Sequence, residues 1–423
     1  MLKEFSIKNF KSINEEVTFS MEADIERVSE FPSHIVQIRD NSLLRVCSMY
    51  GPNGGGKSNI LKALSLLKRV VVAGYTRDYF DKCSNAFSDD DTVEFTSFFA
   101  TENNDIGYNV RFTLFPDEEI IGDGNVRAPV RTKIGIVNES VYVLNKSGIY
   151  TEVCSRDING VVTSDQKTLI GAISSKPLGS SMSIVRFFYE YFYNENNKPS
   201  PGLRVLFELF QEISSIVTLS SRPVIQTMSS SLKGEAAIEH KDELIKLLNA
   251  ADIPIKDIAV EKDRMFSRIY FVREVQVDEN DTIERGIELT EESMGTQKIF
   301  DLLVRFIIHR NENLIYLGDD MNAFLHPKLM AGIIDLFNSN KENHSQLIFN
   351  SHDIVNMNNR VFRRDEIWFV YRNNKYQTNV VPLSNITNYK GKQIRNDASY
   401  SKQYLEGKYG ADPFIKKGLD WNE

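Results

Sequence analysis

Apolar and polar residues alternate at the start of the chain in a way that predicts short strands. The apolar side chains Phe5, Ile7 and Phe10 of the first stretch and Val17, Phe19 and Met21 of the second are separated by polar ones, which favours an antiparallel pair. Residues 22–42 are mixed and polar, so we expect a loop there. The largely apolar run Leu43–Tyr50 then indicates a buried strand.

A second region of alternation begins at residue 93. The stretch 93–99 carries Val93, Phe95 and Phe99, and the stretches 108–114 and 141–143 have apolar residues at every second position. Polar turns separate these stretches at 103–105 and 122–124. The pattern predicts a β-rich sheet of several strands.

The apolar spacing becomes helical from Ser181 onward, with apolar residues every third or fourth position. Residues 220–234 are rich in serine, and we expect them to form a mobile loop. After that loop the pattern indicates one more helix and then a return to strand. The predicted helices cover 184–192, 203–217 and 244–248, and the predicted strands cover 257–260 and 268–272.

Composition restricts the class of protein. The chain has 423 residues, of which 41% are hydrophobic and 26% charged, as in ordinary globular proteins. A net charge of −8 argues against a uniformly basic nucleic-acid binder, although local basic patches remain possible. Three widely spaced cysteines have no metal-ligand spacing and fit a reducing cytoplasm. No signal peptide or membrane span is expected, because no apolar run is long enough.

The strongest chemical motif is Gly51–Ser58, which matches the pattern G-x-x-x-x-G-K-[ST] between the predicted strand and a helical stripe of apolar residues. Glycines let backbone amides crowd around a triphosphate, and the helix start adds its positive dipole end. We expect Lys57 to reach the β- and γ-phosphates and the Ser58 hydroxyl to ligate Mg²⁺. A chance match is the alternative, and the flanking elements argue against it. The predicted nucleotide-binding residues are Asn53, Gly54, Gly55, Gly56, Lys57 and Ser58.

A second phosphate-type motif opens the helical pattern that follows residue 292. Ser293, Gly295 and Thr296 place free amides and hydroxyls at a helix start, which suits a phosphate group. Taken alone, such a start is most often only a helix cap.

Two apolar strands end in residues that suit phosphoryl chemistry. Residues 314–318 lead into Asp319 and Asp320, where Asp319 would hold the metal and Asp320 would orient or deprotonate the attacking water. The alternative is an ordinary turn after a core strand. Residues 346–351 lead into His352, whose imidazole could donate to the γ-phosphate and sense its loss. The predicted catalytic residues are Lys57, Asp320 and His352.

The order of these parts resembles that of ABC-type ATPases of the SMC/RecF-like branch. More closely, the chain resembles the prokaryotic AAA ATPases grouped with OLD-family and abortive-infection proteins. The resemblance implies an α/β fold, an ABC-ATPase head with a mixed or parallel core sheet, an antiparallel β lobe and a helical insertion. It also adds Lys11 and Asn59 to the nucleotide-binding residues. The segments that carry it are Ile7–Ser12, Gly51–Asn59, Ser293–Thr296, Asp319–Asp320, Leu325–Pro327, Ser351–Asp353 and Tyr404–Gly410.

The resemblance also implies a division of the chain into three ranges. Residues 1–180 would form an N-terminal ATPase lobe with the phosphate loop and a β-rich subdomain. Residues 181–255 would form the helical insertion. Residues 256–423 would form a C-terminal ATPase lobe with the Ser-x-Gly signature, the Asp-Asp strand and the histidine.

In such heads two copies close head to tail on ATP and Mg²⁺. The trans signature Ser293, Gly295 and Thr296 of one subunit would then face the γ-phosphate held by Lys57 of the other. The implied assembly is a homodimer or higher homo-oligomer. Few residues follow His352, and no long heptad tract is visible, so effector chemistry is expected in a separate protein. By resemblance, the role would be a switch in bacterial antiphage defence.

The chain departs from the family pattern at three points. Asp320 stands where glutamate is usual, Phe324 stands where a small residue precedes Leu325–Pro327, and no glutamine loop can be assigned. The shorter carboxylate favours slow hydrolysis. Two other functions therefore stay open, a RecF-like DNA-binding repair ATPase and a weakly hydrolysing ATP-dependent scaffold.

Overall fold

The computed structural model describes most of the chain. The described residues are 1–24, 31–76, 83–121, 126–175, 178–195, 201–219, 230–262, 267–278, 281–339, 343–387, 394–395 and 398–410. Within these ranges, no helix is long and apolar enough to cross a membrane.

The described elements are groups of strands separated by single helices or short groups of helices. The helices are α1 Lys57–Lys68, α2 Lys167–Ser175, α3 Ile184–Glu195, α4 Pro201–Ser214, α5 Ser230–Glu239, α6 Lys241–Ala250, α7 Met294–Ile308, α8 Pro327–Ser339 and α9 Tyr400–Leu405. The first ten strands are β1 Leu2–Lys8, β2 Val17–Ser20, β3 Ile35–Ile38, β4 Asn41–Leu44, β5 Val46–Tyr50, β6 Tyr75–Thr76, β7 Val93–Ala100, β8 Asp105–Ile121, β9 Val126–Leu144 and β10 Tyr150–Arg156. The remaining strands are β11 Val162–Ser164, β12 Ile216–Leu219, β13 Asp257–Lys262, β14 Ser267–Asp278, β15 Asp281–Glu288, β16 Ile315–Gly318, β17 Gln346–Asn350, β18 Ile367–Arg372 and β19 Thr378–Pro382.

A six-stranded sheet in the order β12-β16-β17-β5-β18-β19 forms the centre of the described fold. Its neighbouring strands are parallel except for the antiparallel pair β18 and β19. Strands β5, β16 and β17 are buried along their whole length, as expected for parallel strands covered on both faces. Their carboxyl ends lie at one edge of the sheet, where loops can bring distant side chains together.

Alternating side chains of the central strands enter two different hydrophobic cores. Cys47 and Met49 pack in the core that includes α1. Val46 and Tyr50 pack in the core that includes α7 and α8. Successive side chains of β5 point to opposite faces of the sheet, so both cores pack against the strand that precedes the phosphate loop.

An antiparallel sheet lies beside the central one and contains the predicted β-rich region. Its described strands follow the order β11-β10-β9-β8-β7-β1-β2, with β6 paired to β9. Strand β1 pairs with β2 in the register Phe5 to Phe19, which confirms the antiparallel pair expected at the start of the chain. The mixed α/β architecture predicted from the sequence is thus confirmed.

Three local predictions are wrong. Residues 35–38 and 41–44 form the hairpin of β3 and β4, where a loop was expected up to residue 42. The predicted strand 43–50 is divided at Arg45, whose buried side chain donates to the carbonyl of Asn343 over 2.9 Å, and the chain passes there from one sheet to another. The apolar spacing over 203–217 also hides a change of element, because α4 ends at Ser214 and Val217 lies in β12.

The serine-rich stretch 220–234 is only partly described. Its last residues, 230–234, begin α5 and do not form the expected loop. Residues 220–229 and the predicted turn at 122–124 lie outside the described residues. Strand β12 also places a segment of the predicted helical insertion, 181–255, in the central sheet next to β16.

Candidate functional site

The phosphate loop connects the end of β5 to the start of α1. Lys57 is the first residue of α1 and is 5% exposed. Its ammonium donates to the carbonyls of Gly51 over 2.7 Å and Pro52 over 3.1 Å, so the lysine folds back across the loop. Burial lowers the pKa of Lys57, and the nearby carboxylates of Asp320 and Asp319 oppose that shift.

Two glycines of this loop lie against the hairpin of β18 and β19. A Cβ on Gly51 would be 1.9 Å from the carbonyl oxygen of Val370, and a Cβ on Gly56 would be 2.2 Å from the Thr378 hydroxyl. Both glycines have positive φ angles, +150° and +113°. The hairpin thus holds the loop from one side, at a distance that only glycine permits.

Hydroxyl groups from both ends of the chain support the same loop. Thr378 on β19 donates to the carbonyl of Gly55 over 3.0 Å and shares a 2.7 Å hydrogen bond with Ser12. Asn59 on α1 donates to the Ser12 hydroxyl over 2.7 Å. Sequence reasoning missed Thr378, because no local pattern connects it to a loop more than three hundred residues earlier.

The Ser58 hydroxyl lies next to the end of β16. It donates to Oδ1 of Asp319 over 2.7 Å, and the amide nitrogen of Asn350 donates to the same oxygen over 2.6 Å. Asn350 is fully buried at the end of β17, and sequence reasoning assigned it no role. Its position as the last residue of an apolar strand, before Ser351 and His352, was the available signal.

The oxygens of Ser58 and Asp319 fit a magnesium ion. Mg²⁺ prefers oxygen ligands at octahedral positions, which places two neighbouring ligand atoms roughly 2.9 Å apart. The observed 2.7 Å separation is close to that value. A hydroxyl and a carboxylate beside a phosphate loop are also the donor types that such an ion takes alongside phosphate oxygens.

Asp320 and His352 lie at neighbouring strand ends and face each other. Nε2 of His352 is 3.5 Å from Oδ1 of Asp320, and both side chains are nearly half exposed. The backbone amide of Asp320 donates to the side-chain oxygen of Asn350 over 2.5 Å. Burial and the charge of Lys57 lower the pKa of His352, while Asp320 and Asp319 oppose the shift, so the surroundings on balance favour the neutral imidazole.

The signature segment lies on the surface at the start of α7. Ser293 caps the helix, and its hydroxyl accepts the amide of Thr296 over 3.1 Å. A Cβ on Gly295 would be 2.6 Å from the carbonyl of Phe324, whose own side chain is 53% exposed. Within the described residues, neither Ser293 nor Gly295 contacts the phosphate loop of the same chain through a hydrogen bond.

A buried lysine behind the signature was also missed. Lys298 on α7 is 2% exposed, and its ammonium donates to the carbonyls of Met321 and Ala323 over 2.9 Å each and of Asp320 over 3.5 Å. The sequence signal was a lysine in the apolar stretch that includes Ile299 and Leu302.

The remaining predicted residues lie around the loop. Asn53 and Gly54 form its exposed tip. Lys11 has a left-handed backbone, with φ +52°, and its ammonium lies 5.6 Å from the ring centroid of Phe10. The backbone amide of Lys11 donates to the carbonyl of Cys83 over 2.8 Å, which ties this turn to the start of the β-rich region.

Solved structures with a similar arrangement include heads of SMC proteins. The SMC head domain from Thermotoga maritima is 15% identical at a TM-score of 0.41, over 90% of this chain and 98% of that one. An SMC head bound to the C-winged helix domain of ScpA is 14% identical at a TM-score of 0.38, over 90% and 96%. An SMC head with an extended coiled coil, bound to the C-terminal domain of ScpA derived from Pyrococcus furiosus, is 13% identical at 0.39, over 90% and 95%.

No curated protein has a significant sequence match to the chain. One family model does match, described as "AAA domain, putative AbiEii toxin, Type IV TA system", over residues 46–133 and 203–358. These two ranges contain the phosphate loop, Ser293, Asp319, Asp320 and His352. Because they make up more than half of the chain, the protein belongs to this AAA-domain family, and the predicted kinship with AAA ATPases of the abortive-infection type is confirmed.

Proposed function

We propose that the protein is an ATP-hydrolysing molecular switch. The observation that carries this proposal is the meeting of three strand ends at one edge of the central sheet. There the Ser58 hydroxyl and the Asp319 carboxylate lie 2.7 Å apart, directly beside the phosphate loop. Membership in an AAA-domain family supports the same function.

Each side chain of the site has a distinct role in this proposal. Lys57 exchanges its loop carbonyls for the β- and γ-phosphate oxygens of ATP. Ser58 and Asp319 hold Mg²⁺, which supplies positive charge to the same phosphates. Asp320 orients and deprotonates the attacking water, and His352 donates to the γ-phosphate.

The active form in this proposal is a head-to-tail homodimer. Ser293 and Gly295 are positioned at an exposed helix start, where amides and a hydroxyl suit a phosphate group, yet they form no hydrogen bond to the phosphate loop of their own chain within the described residues. A second copy could present its nucleotide to this surface. ATP would then favour the closed dimer, and hydrolysis would release it.

We further propose that the dimer controls a separate effector protein in antiphage defence. The family description refers to a toxin of a toxin–antitoxin system, which supports a role of this kind.

Phosphate release from ATP tests the hydrolysis. We expect the wild type to hydrolyse ATP slowly and only with Mg²⁺. Lys57→Ala should abolish both this turnover and ATP binding. The control variant Lys328→Ala, at an exposed position on α8, should behave like wild type. ATP-dependent assembly without phosphate release would instead favour the scaffold. Turnover that DNA stimulates, with binding that weakens steeply as salt rises, would favour the RecF-like alternative.

Ser293→Arg tests the arrangement of the dimer. The variant should bind ATP as a monomer with unchanged affinity, because Ser293 acts on the nucleotide of the other subunit. Sedimentation with ATP should then show no dimer. If Ser293→Arg dimerises on ATP as the wild type does, the head-to-tail arrangement is wrong.

A further inference from the structure

Three backbone carbonyls converge behind the metal-binding edge of the site. They belong to Asp320, Met321 and Ala323, in the loop that connects β16 to α8. The Lys298 ammonium meets all three, at 3.5, 2.9 and 2.9 Å. An ammonium has three protons to donate, so this lysine can satisfy the whole group of acceptors.

The same loop has an unusual backbone that needs support. Asp320 and Phe324 both have positive φ angles, +46° and +64°. Such angles cost non-glycine residues energy and persist only where the surroundings hold them. The amide of Met321 donates to the carbonyl of Asn350 over 3.1 Å, which fixes the loop on the β17 side. Lys298 fixes it on the α7 side.

The contact joins two parts of the site that act on different nucleotides in the proposed dimer. Lys298 lies one helical turn beyond Ser293, whose segment would face the ATP of the second subunit. Its acceptors lie beside Asp320, which would act on the ATP of its own subunit. The close approach of Gly295 to the Phe324 carbonyl makes a second connection between the same helix and loop.

We infer that Lys298 is a positioning residue, which holds the loop after β16 so that the Asp320 carboxylate faces the attacking water. This inference rests on the proposed function. It further implies that movement of α7 on closure of the dimer would move the loop, because the Lys298 ammonium on α7 donates to three carbonyls of that loop.

Lys298→Met tests the inference, with Lys328→Met as the matched control on an exposed lysine. We expect kcat to fall on the order of tenfold to a hundredfold in Lys298→Met, because a small displacement of a reacting group has effects of that size. The KM and the affinity for a fluorescent ATP analogue should stay near wild type. Equal kcat in the two variants, or a parallel loss of ATP affinity, would overturn the inference.

A double variant shows whether Lys298 acts through Asp320. If it does, adding Lys298→Met to Asp320→Asn should slow the residual turnover no further. If the fold losses in kcat of the two single variants multiply in the double variant, Lys298 does not act through Asp320. Lys298→Gln keeps two uncharged donors and should lose less activity than Lys298→Met, which guards against a variant that folds poorly.

The pH profile supplies a readout that a purely structural role would not move. Burial lowers the pKa of Lys298 to about 8, and the Asp320 carboxylate opposes the shift. The ratio of wild-type to Lys298→Met kcat should therefore be largest below pH 8 and become smaller above it, because the deprotonated amine keeps only two of its three donors. The pKa of Lys57 is also lowered, but that residue is present in both proteins and cancels in the ratio.

Hydrogen–deuterium exchange separates failure of this inference from failure of the proposed function. In the full chain, Lys298→Met should raise exchange in residues 319–326 and leave β17 unchanged. That result would stand even if the wild type released no phosphate, in which case only the hydrolysis proposal would fail. Unchanged exchange in 319–326 would overturn the role of Lys298 as a support of the loop.

Discussion

Asp320, the proposed catalytic base, has a left-handed backbone. Its φ angle is +46°, a region that aspartate and asparagine enter more readily than glutamate. The backbone conformation gives a physical reason for an aspartate at this position, where the resemblance described in the sequence analysis implies a glutamate. A shorter side chain is compatible with this conformation, and in the proposed mechanism it would leave the carboxylate further from the attacking water.

Asp320→Glu should therefore hydrolyse ATP faster than the wild type but be less stable. We expect kcat to rise on the order of tenfold as the carboxylate moves closer to the water. The free energy of unfolding should fall by about 1 kcal/mol from the added backbone strain. Phosphate release and urea denaturation measure the two effects. Asp320→Asn suits the same φ angle but lacks the base, and should be stable and keep only a low residual turnover. A fast wild-type enzyme that gains nothing from glutamate would contradict this account.

At the scale of elements, the phosphate loop depends on contact with the β18–β19 hairpin. Gly51→Ala would place a methyl group 1.9 Å from the Val370 carbonyl, and backbone atoms cannot move aside cheaply. We expect a loss of roughly 2–3 kcal/mol in the free energy of unfolding. Gly54→Ala is the control, because its φ is also positive, +74°, yet its Cβ would meet nothing within 4 Å. It should lose only about 1 kcal/mol. Equal losses in the free energy of unfolding of the two variants would show that backbone strain, and not the contact with Val370, determines the cost.

Glu139 on β9 connects the antiparallel sheet to α3. The fully buried carboxylate accepts the amide of Ile184 over 2.9 Å and the hydroxyl of Tyr108 over 3.0 Å. Burial raises the pKa of Glu139 to about 7, although the two hydrogen bonds lower it in part.

The raised pKa predicts how stability depends on pH. Because the folded pKa exceeds the ordinary 4.5, the contribution of Glu139 is complete below pH 4.5 and is lost as pH rises through about 7. Up to about 3 kcal/mol is at stake. The free energy of unfolding measured from pH 5 to 8 should have a slope in the wild type that Glu139→Gln reduces. Glu366 is buried with a raised pKa in both proteins, so the difference between the slopes isolates Glu139. Identical slopes would contradict the assignment.

At the scale of the whole molecule, the proposed dimer makes each nucleotide site from two chains. A mixture of Lys57→Ala and Ser293→Arg chains can then form one complete site, from the phosphate loop of the second variant and the signature of the first. Each variant alone should be inactive, and mixing them should restore phosphate release. A mixture of wild type with Lys328→Ala gives the reference rate. If mixing restores nothing while ATP still binds to Ser293→Arg, the shared site is wrong.

The sequence by itself determined the chemistry of individual segments. The phosphate loop between a buried strand and a helix, the capped start at Ser293 and the strands that end at Gly318 and Asn350 all follow from local patterns, because glycine spacing, helix caps and apolar runs act over a few residues. The same local reasoning failed for residues 35–44 and for Val217. There the chain passes from one sheet to another, or from a helix to a strand, and the apolar spacing does not change at that point.

Tertiary structure decided which distant groups meet. Ser12, Asn350 and Thr378 reach the site from three separate parts of the chain, and Lys298 reaches a loop more than twenty residues later. Their roles depend on the order of strands in the central sheet, which sets which carboxyl ends are neighbours. That order is fixed by the burial of both faces of the sheet at once. It is a property of the packed molecule, and no short stretch of sequence contains it.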